Sequence, residues 1–523
     1  MISVYIVLGV LIAGIIFVGI MGAKGNNSLD TFIVADRKAG AWATAFGYGT
    51  TYFSAVLFIG YAGGSGWAYG PYAILIGVGN AIIGSMLAWI ILANRTRLVT
   101  RNLGLKSMPQ LLATRYHSKK FIKLFSVLVI FIFLLPYSAS IFNGLGYFVE
   151  TVLKIKYIYI MIAITGLAGF YIVLGGYKSA LIADLVLGAI MLVGIIALIV
   201  ALCVHPNVNG LFEGLRNSYE LVQPELSAKG GGVVAAQLIG LVFLTSVGAW
   251  GMPQMVHRYY GIKSKKNVFH AISITTVFAL IVAGGAYLAG SFTRLFSSTS
   301  LGSADRTMSN MLEIALTNSV WGELVLGLVL ALVVAASVTT LANVSLSASS
   351  TVTMDFVGGV LEKKQEPKKA LNLTRIICAL FVIASLGIAT IVYYNNNTTI
   401  IDLMSFSWGT ISGTFLAPYL LGLYIKRINK KGAITGMLSG FSFSVVFLIL
   451  YLFRNAWGIT LFATYTTSLV SMSAILFSFI MTLIVSFCTK PDDNSKFFES
   501  MKEPGVVVNS EKSLKENKAK SEK

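Results

Sequence analysis

Leu332–Asp355 reads LVVAASVTTLANVSLSASSTVTMD. The stretch is long enough to cross a bilayer, yet it carries a run of hydroxyls: Ser337, Thr339, Thr340, Ser345, Ser347, Ser349, Ser350, Thr351 and Thr353. One or two hydroxyls can bond back to the i−4 carbonyl of their own helix at little cost. A run this dense predicts a helix enclosed by protein and close to water or an ion. Ala336, Thr339 and Thr340 offer one carbonyl and two hydroxyls within about a turn and a half of helix. Those are hard, neutral oxygens, the ligand type that suits an alkali cation. The competing reading is a small-residue face that lets two helices pack closely.

The 523 residues are 56% hydrophobic and only 12% charged, against roughly 25% charged in soluble domains. The chain is therefore read as an all-α, multi-pass membrane protein. Apolar runs of about 20 residues predict about 13 helices, near 2–21, 41–66, 70–94, 122–148, 157–175, 178–203, 236–258, 267–291, 320–354, 373–394, 400–424, 432–453 and 463–488. The first of these lacks a following small-residue cleavage site and is read as a retained helix.

A net charge of +19 would suit a nucleic-acid partner, but its distribution argues for topology instead. With the N-terminus outside, 33 of the 40 Lys and Arg fall in the inner loops and the C-terminal tail. The positive-inside rule then gives an outside N-terminus and a cytoplasmic C-terminus. Cys203 and Cys488 fall on opposite faces, so they cannot pair, and Cys378 completes a set with no metal spacing. No Ser-His-Asp set or phosphate loop stands out. A catalytic role and a metal other than a transported alkali ion are not expected.

Two helices are irregular. Gly40–Gly66, GAWATAFGYGTTYFSAVLFIGYAGGSG, is weakened by Gly47, Gly49, Gly60, Gly63 and Gly64. Leu241–Gly261, LVFLTSVGAWGMPQMVHRYYG, is interrupted by Gly248, Gly251 and Pro253. Pro253 removes a backbone donor and frees the carbonyl four residues earlier. Such breaks are tolerated in a membrane where the backbone is buried or lines a cavity. These helices are the second and the seventh, five apart. Discontinuous helices at matching positions of two halves mark the binding site of a secondary transporter. The expected organisation is a first flanking helix and inner loop (1–40), a first inverted five-helix repeat (41–203), an outside loop (204–235), a second repeat (236–424), two flanking helices (425–488) and a disordered cytoplasmic tail (489–523). Within the basic inside loop at 94–123, MPQLLATRY reads as a short interfacial helix.

At four places the chain resembles the sodium:solute symporter family: Asp30–Gly60, Gly175–Asp184 (GGYKSALIAD), Gly248–Arg258 (GAWGMPQMVHR) and Ala335–Asp355. The third lies nearest to bacterial proline permease-type members. The resemblance implies a LeuT-like fold and Na⁺-driven uptake of a small organic solute, such as proline or another amino acid, or a small carboxylate. It implies a Na⁺ site of the carbonyls of Thr50, Phe53 and Ala336 and the hydroxyls of Thr339 and Thr340. It implies that Asp184 helps the ion along its inward route. From its own position, an acid inside an apolar helix is expensive unless it meets a cation or water; pairing with Lys178 is the structural alternative. Substrate contacts are expected from Tyr52, Ser54, Trp250, Pro253, Phe406 and Trp408, near the breaks. The sugar-carrying members place a Glu-Gln pair where this chain has Val56 and Leu57. The proline permeases place Asp at the Tyr52 position and Trp at those of Thr245 and Val56. Other cations (H⁺ or Li⁺), another solute such as pantothenate, and a channel or sensory module are the alternatives. A monomer in the lipid bilayer of the cell membrane is expected to suffice.

Overall fold

The hydroxyl-rich helix is the most enclosed span of the protein, and that enclosure organises the rest. The computed structural model describes residues 2–23, 37–297, 304–363, 366–395 and 398–503, with the side chains of 18–23 and 170–179 left aside. Asp30, Lys178 and residues 504–523 therefore lie outside what is described. The described residues are helical, with one isolated bridge between Ala39 and Ile262 and no named strand. Nine of their helices are long and apolar enough to cross a membrane, and Ile2–Phe17 and Tyr157–Gly169 are shorter apolar ones. In the most apolar window of Val320–Val360, 83% of residues are buried, against 28% in Pro367–Asn395 and in Lys430–Leu452. The first is a core helix and the other two face lipid. Hydroxyls are cheap in the first because protein, not hydrocarbon, surrounds them.

The helices that matter below are labelled in chain order: α1 (Ile2–Ala23), α2 (Ala41–Tyr52), α3 (Phe121–Leu153), α4 (Tyr157–Val204), α5 (Gly231–Ser246), α6 (Pro253–Gly261), α7 (Val320–Thr351), α8 (Ile400–Tyr424), α9 (Lys430–Leu452) and α10 (Ser495–Glu499). The core helix α7 packs along α4, α1 and α3. The crossings expected at 157–175 and 178–203 lie within the single 48-residue helical stretch α4. At 1.5 Å per residue that is about 72 Å, more than twice a core about 30 Å thick; with no turn between the two expected crossings, the stretch runs in one direction.

Both irregular helices are broken. α2 ends at Tyr52, Phe53 is extended (φ −108°, ψ 109°), and helix resumes after Ser54. α5 ends at Ser246, a 3₁₀ turn covers Gly248–Gly251, and Met252 is extended (φ −78°, ψ 124°) before Pro253 starts α6. Proline at the first helical position costs nothing, since that amide has no intrahelical partner. The start of α2 is tied to the end of α6: the Ala39 amide donates to the Gly261 carbonyl (3.1 Å), and the Lys263 amide to that of Ala39 (3.0 Å).

Three polar segments carry more structure than expected, and for the tail this corrects the expectation of disorder over 489–503. The loop at 204–235 contains an amphipathic helix, Leu211–Lys229, whose Ser218, Val222 and Leu226 are buried. The short helix expected at MPQLLATRY is present as Met108–Arg115, and one face of it docks on the protein, with Arg115 donating to the carbonyls of Gly422 (2.8 Å) and Ile428 (3.0 Å). The tail is structured over 489–503: Phe497 is buried, Arg97 pairs with Glu503 (2.8 Å), and Asn102 donates to the Ser500 carbonyl (2.8 Å). Its polarity hid one buried aromatic and the basic partners that await it.

Candidate functional site

The break after Tyr52 leaves the last carbonyls of α2 without the amides four residues on that would donate to them in a continued helix. α7 supplies replacements. Oγ1 of Thr340 donates to the Thr50 carbonyl at 3.0 Å, and Oγ1 of Thr339 lies 3.4 Å from it. The same two hydroxyls lie 2.8 and 3.1 Å from the Ala336 carbonyl. Four of the five expected ion ligands, from Thr50, Ala336, Thr339 and Thr340, thus meet between two helices. Phe53 sits at the break itself, its amide on the Gly49 carbonyl (2.9 Å) and its ring stacked on Tyr52 (centroids 4.4 Å). Oxygens at right angles around a cation with a bond length of roughly 2.4 Å, as for Ca²⁺, are about 3.4 Å apart. The hydroxyl–carbonyl distances run from 2.8 to 3.4 Å, at or somewhat under that spacing.

Beside this cluster lies a second polar network. Oγ1 of Thr50 donates to Oδ1 of Asp184 at 2.8 Å. Oδ2 of Asp184 is 2.9 Å from Nη1 of Arg258, and both side chains are almost fully buried. Arg258 also donates to Oγ1 of Thr51, which accepts from Nδ2 of Asn343 at 3.0 Å. The expectation that Asp184 needs a cationic partner is met by Arg258 of α6, which lies in a spanning half-helix rather than in the inner loop where its charge was counted. Glycine is required where the pair crosses α2. A Cβ at Gly47 would come within 2.5 Å of Nη1 of Arg258 and 2.8 Å of Oδ2 of Asp184. Side-chain bonds thus link Asp184 of α4, Arg258 of α6, and Thr50 and Thr51 of α2 directly to the ion ligands.

The candidate substrate residues divide. Tyr52 and Trp408 face each other with nearly parallel rings (centroids 6.1 Å), and Tyr137 meets Trp408 edge-on at 5.4 Å. Ser54 is buried at the break. Trp250 and Pro253 occupy the second break, where the Trp250 indole donates to the Ile83 carbonyl (3.1 Å). Ser412 of α8 donates to the Gly248 carbonyl, so α8 packs against that break. Phe406 stands apart: it packs on Tyr451 (5.1 Å) in a separate cluster with Val470. Two residues along a helix point to nearly opposite sides, so Phe406 and Trp408 cannot line one site together. Near the Tyr52 side chain lie polar groups not singled out from the sequence. Tyr52 Oη donates to the Thr245 carbonyl, and Asn80 Oδ1 accepts from Ser246 at 3.1 Å. Gln254, one residue past Pro253, is buried. Its position next to the Gly-Pro interruption was the available signal.

A family model described as "Sodium:solute symporter family" matches residues 32–440. The chain belongs to this family. This family is one of transporters, not of enzymes, and the symporter's span hydropathy agrees with a multi-pass membrane protein. Sodium/proline symporters of Staphylococcus aureus, from strains JH9 and COL among others, are 26% identical to it over 501 residues, covering 93% of each chain. A solved Na⁺-coupled sialic acid symporter, in a substrate-bound outward-open state, superposes with a TM-score of 0.74 at 16% identity. That alignment covers 94% of this symporter and 98% of the other chain. At such identity the likeness is one of fold.

Proposed function

We propose that this symporter couples inward Na⁺ movement to uptake of a small organic solute bearing a carboxylate, an amino acid such as proline or a small carboxylate, by alternating access. The observation that carries the reading is the Thr50 carbonyl, freed by the break after Tyr52 and met by the hydroxyls of Thr339 and Thr340. Na⁺ bound among the oxygens of Thr50, Phe53, Ala336, Thr339 and Thr340 joins α2 to α7 and favours an outward-open state. The solute then binds against the two breaks, where half-helix N-termini carry partial positive charge for an anionic group. Tyr52, Ser54, Trp250, Pro253 and Trp408 are the proposed contacts, with Phe406 a packing neighbour of the outer end. The paired breaks support the division into inverted repeats at 41–203 and 236–424, and the Lys and Arg distribution supports an outside N-terminus and a cytoplasmic C-terminus.

Proline is favoured by the relatives' names, while Tyr52, Thr245 and Val56 stand where proline permeases carry Asp, Trp and Trp. Buried Val56 and Leu57 disfavour a polyol, which needs several buried hydrogen-bond partners. Asp184 is proposed to act on the ion route through its pairing with Arg258. One Na⁺ moving down a potential of about 100 mV yields roughly 2.3 kcal/mol. A tenfold gradient adds about 1.4 kcal/mol, so one-to-one coupling supports several hundredfold accumulation. The test is uptake of radiolabelled proline and small carboxylates into proteoliposomes under a Na⁺, H⁺ or Li⁺ gradient. Uptake driven by Na⁺ and lost in Thr339→Ala/Thr340→Ala is expected. Uptake driven equally by H⁺ alone, or unchanged in the double variant, overturns the reading.

A further inference from the structure

At the membrane end where α3 and α9 begin, a cavity of about 940 Å³ is lined by Lys119, Lys120, Lys123, Lys430 and Lys496, with Phe497 among its apolar walls. No Asp or Glu lines it. The lysines come from three separate segments: the approach to α3, the start of α9, and the tail helix α10. A bias of positive charge toward one membrane face accounts for lysines at that face, but not for five of them converging on one concavity.

Their placement also runs against helix electrostatics. α3 and α9 have no acid in their first turns, and their starts carry Lys120 and Lys123, and Lys430 and Lys431. Cations there oppose the positive end of the helix dipole and are destabilising unless an anion is present. The nearby acids supply little. Glu362 lies 3.7 Å from Lys120, with both side chains about 70% exposed, a pairing of small worth. At α9 one anion is already present, since the Asp492 carboxylate accepts from the Lys430 amide (2.6 Å), and Asp493 lies near His117 and Lys496; with Glu362 these three carboxylates still leave the five lysines in excess.

An apolar track leads away from the cavity into the membrane. Phe121, Leu124, Leu128 and Ile132 are exposed on one stripe of α3, at the three- and four-residue spacing of a single helix face. Beside the stripe, Phe125 stacks on Phe121 (5.9 Å) and meets Phe441 of α9 edge-on (5.2 Å). A cationic headgroup site that opens onto a hydrocarbon-facing stripe matches an anionic amphiphile. We propose that the cavity holds the phosphate headgroup of an anionic phospholipid, with its acyl chains along the Phe121–Ile132 stripe. Basic pockets between spanning helices at the inner leaflet are the recognised setting for such headgroups. Through Lys496 and Phe497 the lipid also fastens the start of the tail.

The test uses the full-length protein in detergent, with phosphatidylglycerol competing against phosphatidylcholine and retained lipid counted by native mass spectrometry. The readout needs neither Na⁺ nor solute, so its failure is separable from failure of the transport reading. Each lysine beside an anionic headgroup contributes about fivefold. Lys119→Gln/Lys120→Gln/Lys430→Gln, all at exposed positions, is therefore expected to weaken phosphatidylglycerol retention on the order of a hundredfold. Lys265→Gln/Lys266→Gln/Lys369→Gln, with the same change in net charge, is expected to leave it unaltered. Equal loss in both variants would mean diffuse surface charge, and full retention in the cavity variant would mean another site; either overturns the proposal. Glycerol phosphate or inorganic phosphate displacing the lipid as effectively as phosphatidylglycerol does would overturn the lipid as the source of the phosphate.

Discussion

Replacing Thr340 by Val removes one oxygen from the junction of α2 and α7 while keeping the side chain's shape. Oγ1 of Thr340 lies 3.0 Å from the Thr50 carbonyl and 2.8 Å from that of Ala336. In the ion-free protein the loss is modest. The Thr50 carbonyl keeps Thr339 at 3.4 Å, so about 1 kcal/mol of stability should go, the usual net worth of a hydrogen bond. With the ion bound, the missing oxygen faced a full positive charge, and interactions with charged groups are worth about 1.5–3 kcal/mol. The Na⁺ concentration for half-maximal uptake should therefore rise by roughly 10- to 150-fold, with maximal uptake approached at high Na⁺. The assay is initial uptake in proteoliposomes across a Na⁺ series, paired with thermal unfolding in Na⁺ against K⁺. Thr410→Val is the control, since its hydroxyl bonds back to the Phe406 carbonyl (2.7 Å) within α8. A folded Thr340→Val protein with unaltered Na⁺ dependence would refute the reasoning.

Arg258→Met strands the buried carboxylate of Asp184, so stability should fall by about 3–5 kcal/mol; adding Asp184→Asn should restore a large part of it, as a double-mutant unfolding series would reveal. Gly47→Ala places a methyl 2.5 Å from Nη1 of Arg258 and should cost about 1–3 kcal/mol of overpacking, measured by unfolding midpoint, with transport reduced alongside. Burial, with a smaller contribution from Asp402, pushes Asp305 in the loop before α7 up to about 7, although the Ile400 amide donates to it and works against the rise. Folded protein then holds a proton that the unfolded chain has released above its ordinary value of 3.8, so stability declines as pH rises from there through about 7. Thermal unfolding from acid to neutral pH should register that decline in the wild type and a flatter profile in Asp305→Asn.

The parts legible in the sequence were those with local causes. Gly248, Gly251 and Pro253 announced a break because glycine and proline act on their own backbone. Thr339 and Thr340 announced an oxygen site because hydroxyls in a membrane-length helix need a reason. The partner of Asp184 was not legible. Arg258 is 74 residues away in sequence, and its place near a run of loop lysines made it look like an orientation signal. Asn343 and Thr51 became visible only once α2 and α7 were side by side. Phe406 and Trp408 read alike as nearby aromatics, and only the phase of α8 separates them. The structured start of the tail was hidden because Phe497 and Phe498 stand among charged and polar residues, and the tail's docking surface is built from Arg97, Asn102 and Arg115.

The central claim is that an alkali ion sits where the broken α2 meets α7. An anomalous-scattering map of the protein with Tl⁺ in place of Na⁺ tests it most directly. A peak within about 3 Å of the Thr50 and Ala336 carbonyls and the Thr339 and Thr340 hydroxyls, displaced when Na⁺ is added, is the predicted result. A peak at the Asp184 carboxylate instead, or none between the two helices, would contradict it.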